Sequence, residues 1–114
     1  GTTFGGNYLA MAAAISVLDI IEKEHLMENA LKVGEYLKAR IPSSPKISQV
    51  RGRGLMLGIE FKEEVAPIRK DLLYNRHIFT GVSGTKMIRL LAPLCLSIEE
   101  ADIFLDALDK SLSI

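Results

Sequence analysis

The sequence is poor in the residues on which many site chemistries rest: one cysteine, two histidines, no tryptophan and 6% aromatics among 114 residues. The lone Cys95 excludes an internal disulfide and a multi-cysteine metal centre, and fits a reducing, cytoplasmic setting. His25 and His77 stand far apart in no metal-ligand spacing, so surface or boundary roles are expected for both. Charge of one sign is missing too, because 14 basic residues balance 14 acidic ones. That balance gives no ground for nucleic acid or an acidic membrane surface as a partner. No apolar run approaches the roughly 18 residues of a membrane span, and no basic segment leads into a shorter one. The chain opens without an initiator methionine, which points to a piece of a longer protein.

What is present is apolar material in ordered patterns, 48% of the residues, enough for a single core. From Asn7 to Glu24, NYLAMAAAISVLDIIEKE puts Leu9, Ala13, Val17, Ile20 and Ile21 on one side of a helix capped by Asn7. Such a helix is expected to be buried or held in an interface. His25 to Ile41 predicts a second, amphipathic helix with Leu26, Ala30, Val33 and Leu37 inward, ended by the PSSP turn at Pro42 to Pro45. KISQVRGRGLMLGIEF predicts two strands or one bent strand, kinked at Gly52 and Gly54.

Val65 to Arg76 fits a short helix with Pro67 in its first turn and Ile68, Leu72 and Leu73 facing inward. Next, β-rich residues flank a Gly-Val-Ser-Gly turn, Met87 to Leu91 form a strand, and Pro93 ends it. Ser97 with Glu99 and Glu100 starts a last helix through Leu112, with Ile98, Ala101, Phe104, Leu105 and Leu108 on its apolar face. The order α-α-β-β-α-β-β-α predicts a small α+β sandwich: a mostly antiparallel sheet of roughly three or four strands with helices on one face.

Few side chains offer chemistry. Cys95 sits in the apolar run LAPLCL with no flanking base, so a packed thiol is expected rather than a nucleophile. RGRG occurs once inside strand-forming residues and reads as a bend with two solvated arginines, and Glu63 and Glu64 as a solvated turn. Arg89 differs. In MIRLLAP a guanidinium among apolar residues is costly unless matched by a carboxylate or phosphate. Composition alone leaves a structural ion pair and a ligand clamp equally open. The opening GTTFGGN combines a permissive glycine backbone with two hydroxyls at the foot of a helix, an arrangement suited to phosphate.

In this order, GTTFGGN, VRGRGLMLGIEF and MIRLLAPLCLS resemble the C-terminal part of the ornithine-type, class III aminotransferases that use pyridoxal 5′-phosphate. Within that family the likeness is to acetylornithine aminotransferases, whose members commonly read HGTTFGGNPLA, RGxGLMxGIE and IRLLPPL at similar separations. The resemblance covers essentially the whole chain. Tyr8 and Ala92 depart from it, each standing where many members carry proline.

The resemblance implies a fold-type I enzyme, with residues 1–41 as the coenzyme-phosphate turn and bridging helices of a large domain, and residues 42–114 as the small C-terminal α+β domain. It implies that Thr3, with Thr2 as a second hydroxyl, reaches the coenzyme phosphate of the neighbouring subunit in a homodimer. It implies that Arg89 binds the α-carboxylate of the amino or oxo acid, through a planar fork that lysine lacks. The reaction it implies is amino transfer between N-acetylornithine and 2-oxoglutarate, giving glutamate, on the path to arginine. The family's coenzyme-bearing lysine has no counterpart here, so this chain alone is expected to hold no coenzyme and to carry no catalytic residue. Two other readings stay open: a sister enzyme acting on ornithine, 4-aminobutyrate or succinylornithine, and a free-standing α+β interaction module.

Overall fold

Two helices lead the chain, α1 (Tyr8–Lys23) and α2 (Leu26–Arg40), in a computed structural model that describes residues 1–114. Strands β1 (Ile47–Arg53) and β2 (Met56–Phe61) follow, then α3 (Ala66–Arg76), β3 (Gly81–Ser83), β4 (Met87–Leu91) and α4 (Ile98–Leu112). The four strands form one sheet in the order β1-β2-β4-β3, with every neighbouring pair antiparallel. The predicted α+β class and element order both hold.

Alternation along the strands explains why helices cover only one face. Leu57, Ile59, Phe61 and Ile88 are buried, whereas Met56, Arg89 and Leu91, one residue out of phase, are exposed. The buried set packs with Val65, Ile68 and Leu72 from the α3 region and Leu108 and Leu112 of α4. A second cluster joins Ala30, Val33 and Leu37 of α2 to Leu55, Leu57 and Ala101. Helix α2 therefore belongs to the sheet's own core.

Local chemistry fixes the element ends. Asn7 Oδ1 accepts from the Ala10 N–H at 3.1 Å, capping α1. At α4, the Glu100 N–H donates to Ser97 Oγ at 3.1 Å while the Ser97 N–H donates to Glu100 Oε2 at 2.9 Å, a reciprocal capping box. The β1–β2 hairpin turns on Gly54 and Leu55 between paired Arg53 and Met56, and Gly54 takes the left-handed φ of 56° that a two-residue II′ turn asks of its first central position.

Several expectations are corrected. Helix α1 buries no residue: Leu9, Ile15 and Leu18 are all more than half exposed, because α1 packs chiefly on α2 and stands off the sheet. The radius of gyration is accordingly 16.7 Å, against about 13 Å for a compact domain of this length. Of the two expected settings for this helix, burial within the chain is excluded. Leu73 points outward, one residue past the inward Leu72, and the inward place beside Ile68 goes to Asp71. The tight turn expected at Gly81 to Gly84 lies later, over Gly84 to Lys86, and Gly81, Val82 and Ser83 are themselves strand. Cys95 is exposed, because the chain leaves the sheet after Leu91.

Asp71 is the centre of a polar link between α3 and α4. Its carboxylate accepts from Ser111 Oγ at 2.7 Å, Asn75 Nδ2 at 2.6 Å and Arg76 Nε at 3.2 Å. Hydrogen bonds from Asn75 and Ser111, with a further contribution from Arg76, hold its pKa below the ordinary carboxylate value against the opposing effect of burial.

Candidate functional site

Arg89 lies in the middle of β4 and, by strand parity, on the sheet face that the helices leave open. The expectation of a guanidinium buried among apolar residues is thus corrected: the apolar neighbours Ile88 and Leu90 turn toward the helices and Arg89 turns away from them. It makes no ion pair and no side-chain hydrogen bond within the chain. Arg51, on the same face, pairs loosely with Glu60 at 3.7 Å. Of the two readings of Arg89 left open by composition, a structural ion pair within this chain is therefore absent.

The register around Arg89 is distinctive. Its partner on β2 is Gly58 and its partner on β3 is Gly81, so both cross-strand neighbours lack a side chain. Arg89 lines a cavity of about 500 Å³ whose walls include Leu37, Leu55, Phe79, Leu96 and Phe104. The only other charged residue lining it is Glu100, whose carboxylate is engaged in the α4 cap. Arg89 is thus the one cationic residue among those lining a largely apolar cavity, and its guanidinium has no partner within the chain.

The segments flanking this cavity are tied down. Asn29 Nδ2 of α2 donates to the carbonyls of Leu94 and Leu96 at 2.7 and 3.0 Å, holding the segment after β4. On the β3 side, Arg69 of α3 donates from Nη2 to the Thr80 carbonyl at 2.9 Å and from Nε to Thr80 Oγ1 at 3.4 Å. Thr80 is itself buried.

Thr2 and Thr3 lie at the opposite end of α1, and the structure does not bring them to the cavity that Arg89 lines. There the Asn7 N–H donates to the Phe4 carbonyl at 3.1 Å, closing a turn in which Gly6 takes a φ of 79°. A Cβ on Gly5 would collide with Thr2 Oγ1, so the turn folds back under that hydroxyl. Both threonines are exposed and neither hydroxyl has a hydrogen-bond partner in the chain. Two unpartnered hydroxyls on the turn that leads into a helix start are residue types that suit a phosphate.

Register was the feature sequence reasoning missed. In the sequence Gly58 carried no signal and Gly81 read as part of a turn, and only the pairing places both beside Arg89. The Asp71–Ser111 link was missed as well, since Ser111 falls among apolar positions with nothing local to mark its partner. No group of three or more His, Cys, Asp or Glu side chains is arranged to hold a metal ion. No helix is long and apolar enough to cross a membrane.

Residues 1–112 match the family described as aminotransferase class-III. Over 106 residues the chain is 46% identical to acetylornithine aminotransferase 1 of Bordetella bronchiseptica, covering 90% of this chain and 27% of that protein. It is 38% identical over 115 residues to a [LysW]-aminoadipate semialdehyde transaminase of Deinococcus radiodurans, covering 99% of this chain and 27% of the relative. Among solved structures, acetylornithine aminotransferase from Elizabethkingia anophelis superposes with a TM-score of 0.86 at 29% identity, over 99% of this chain and 32% of that one. The chain thus spans about 27% of the length of the curated relatives it matches.

Proposed function

On the premise that the chain belongs to the class-III aminotransferases, we propose that it forms part of an enzyme moving an amino group between N-acetylornithine and 2-oxoglutarate, in arginine synthesis. The single observation that carries the substrate-binding half of this reading is Arg89: an unpaired guanidinium between two cross-strand glycines at the edge of an apolar cavity. Both substrates carry an α-carboxylate for such a clamp, next to the reacting carbon in 2-oxoglutarate and at the other end of the side chain from the reacting Cδ in N-acetylornithine, whose α-nitrogen is acylated. Each charge-assisted hydrogen bond of such a clamp contributes about 1.5–3 kcal/mol.

Enzymes of this class depend on pyridoxal 5′-phosphate, which when bound supplies the electron sink for bond cleavage at the carbon bearing the transferred amine. The chain's own part is to bind and orient. Thr3, with Thr2 beside it, would donate its hydroxyl to the coenzyme phosphate of a neighbouring subunit in a homodimer, and the free hydroxyls and glycine turn support that role. Arg89 would fix the carboxylate and so position the carbon that bears the transferred amine. In this reading residues 1–41 bridge to a large domain, with α2 anchored on the small domain of residues 42–114, and the lysine that holds the coenzyme is supplied from outside these residues. The isolated chain is then inactive and holds no coenzyme. A cytoplasmic setting agrees with the exposed free thiol of Cys95.

Identity to the acetylornithine enzyme favours N-acetylornithine over the other donors. Steady-state kinetics of the enzyme carrying this sequence, with N-acetylornithine, ornithine, succinylornithine and 4-aminobutyrate as donors, tests the choice. The highest kcat/KM is expected for N-acetylornithine, and a higher value for any of the others replaces it.

A further inference from the structure

Gly58 and Gly81 flank Arg89 in register, yet the space each leaves is used differently. A Cβ on Gly81 would lie 3.4 Å from Arg89 Nε, 3.5 Å from Arg89 Cβ and 3.1 Å from the Arg89 carbonyl oxygen. The arginine side chain therefore runs across Gly81, toward the edge strand. A Cβ on Gly58 would instead lie 3.0 Å from Met87 Sδ, so the room over that glycine is taken by methionine. The two long side chains of β4 on this face lean opposite ways, each over a glycine. Resting on the reading of Arg89 as the carboxylate clamp, we propose that Gly81 is a positioning residue for substrate binding, and that its missing side chain is the seat in which the guanidinium is aimed.

The seat is rigid on one side only. Backbone next to Gly81 is held, since buried Thr80 is gripped by Arg69 through both its carbonyl and its hydroxyl. Strand β3 also pairs with β4 at Gly81, Val82 and Ser83. A Cβ at 81 presses on the Arg89 carbonyl oxygen at 3.1 Å and reaches Nε only at ordinary contact distance, so it is the further atoms of a branched side chain such as valine that enter the space of the arginine stem and turn the exposed guanidinium aside. Gly81 lacks a left-handed φ, so a larger residue meets no dihedral strain there, and the strand pair has to open only by a few tenths of an ångström at the Arg89 carbonyl. At Gly58 the added atom meets the far end of a flexible methionine, which turns aside and leaves Arg89 in place.

The test uses the complete enzyme and two donors: N-acetylornithine, and N-acetylputrescine, which is the same molecule with hydrogen in place of the α-carboxylate. The ratio of their kcat/KM values reads the carboxylate clamp alone. Gly81→Val is expected to lower this ratio by about tenfold, chiefly through the KM for N-acetylornithine, and Gly81→Ala by less. Thermal midpoint and coenzyme absorbance are expected to stay as in the parent enzyme. Gly58→Ala is expected to leave the ratio unchanged, and Arg89→Ala to lower it further than either Gly81 variant. Should Gly81→Val fail to fold, Gly81→Ala against Gly58→Ala carries the comparison. A ratio that falls in Arg89→Ala but not in the Gly81 variants overturns the seat and leaves the clamp standing. A ratio unmoved by Arg89→Ala overturns the clamp and the seat with it. Equal falls in Gly58→Ala and Gly81→Ala would mean a general loosening of the sheet, and overturn the proposal too.

Discussion

Gly34 of α2 lies against the carbonyl of Gly54, so that a helix and a hairpin turn meet backbone to backbone. A Cβ on Gly34 would run into that carbonyl oxygen, and no rotation removes a backbone atom from its path. Alanine is favoured over glycine in a helix by about 1 kcal/mol, but overpacking of this kind costs about 1–3 kcal/mol. Gly34→Ala is therefore expected to lower the thermal midpoint of the 114-residue chain by several degrees, where a surface Gly→Ala in a helix would raise it. A raised midpoint would show that the hairpin yields.

The Asp71 link makes an acid-dependent prediction. Its pKa is lowered in the folded chain, from about 3.9 when unfolded, so the stability it contributes is present above about pH 4 and is lost as pH falls through the folded value. Asp71→Asn is expected to unfold more readily than the parent at pH 6, with the gap closing as pH drops below 4. Chemical denaturation between pH 6 and pH 2.5 checks this. A gap independent of pH would remove the carboxylate's charge from the account.

Much of this fold was legible because local signals agree with one another. Asn7, Ser97 with Glu100, Pro67 and the PSSP segment each mark an element end through a named bond or a steric block, and the element order pointed to helices on one face of an antiparallel sheet. Three features were not legible, each for a non-local reason. Leu73 was expected inward, but Asp71 is the residue buried beside Ile68, where Ser111 of α4 meets its carboxylate across 40 residues of sequence. Arg89 reads as buried in a linear window, since MIRLL hides the parity that turns its neighbours to the other side. Gly58 and Gly81 acquire meaning only from register. The three motifs signalled the family, while the geometry of Arg89 required the sheet.

Helix α1 carries its apolar side chains into solvent, with Leu9, Ile15, Val17, Leu18 and Ile20 all exposed. A surface of this kind drives association. The isolated 114-residue chain is expected to self-associate in sedimentation or light scattering, and Ile15→Glu with Leu18→Lys to shift it toward monomer. A clean monomer of the parent chain contradicts this.

The N-terminal turn is tested through coenzyme affinity. In the complete enzyme, Thr3→Val is expected to weaken pyridoxal phosphate binding by about tenfold, the equivalent of one charge-assisted hydrogen bond, with a smaller effect for Thr2→Val. Spectroscopic titration of the coenzyme-free enzyme measures it. Unchanged affinity in both variants would leave the turn as a helix start and nothing more.

The most direct measurement is Arg89→Lys in the complete enzyme, since lysine keeps the charge and loses the planar fork. The account predicts that kcat/KM falls about 10- to 100-fold for both the amino donor and 2-oxoglutarate, with coenzyme content and thermal midpoint unchanged. Values equal to those of the parent enzyme for both substrates would contradict it.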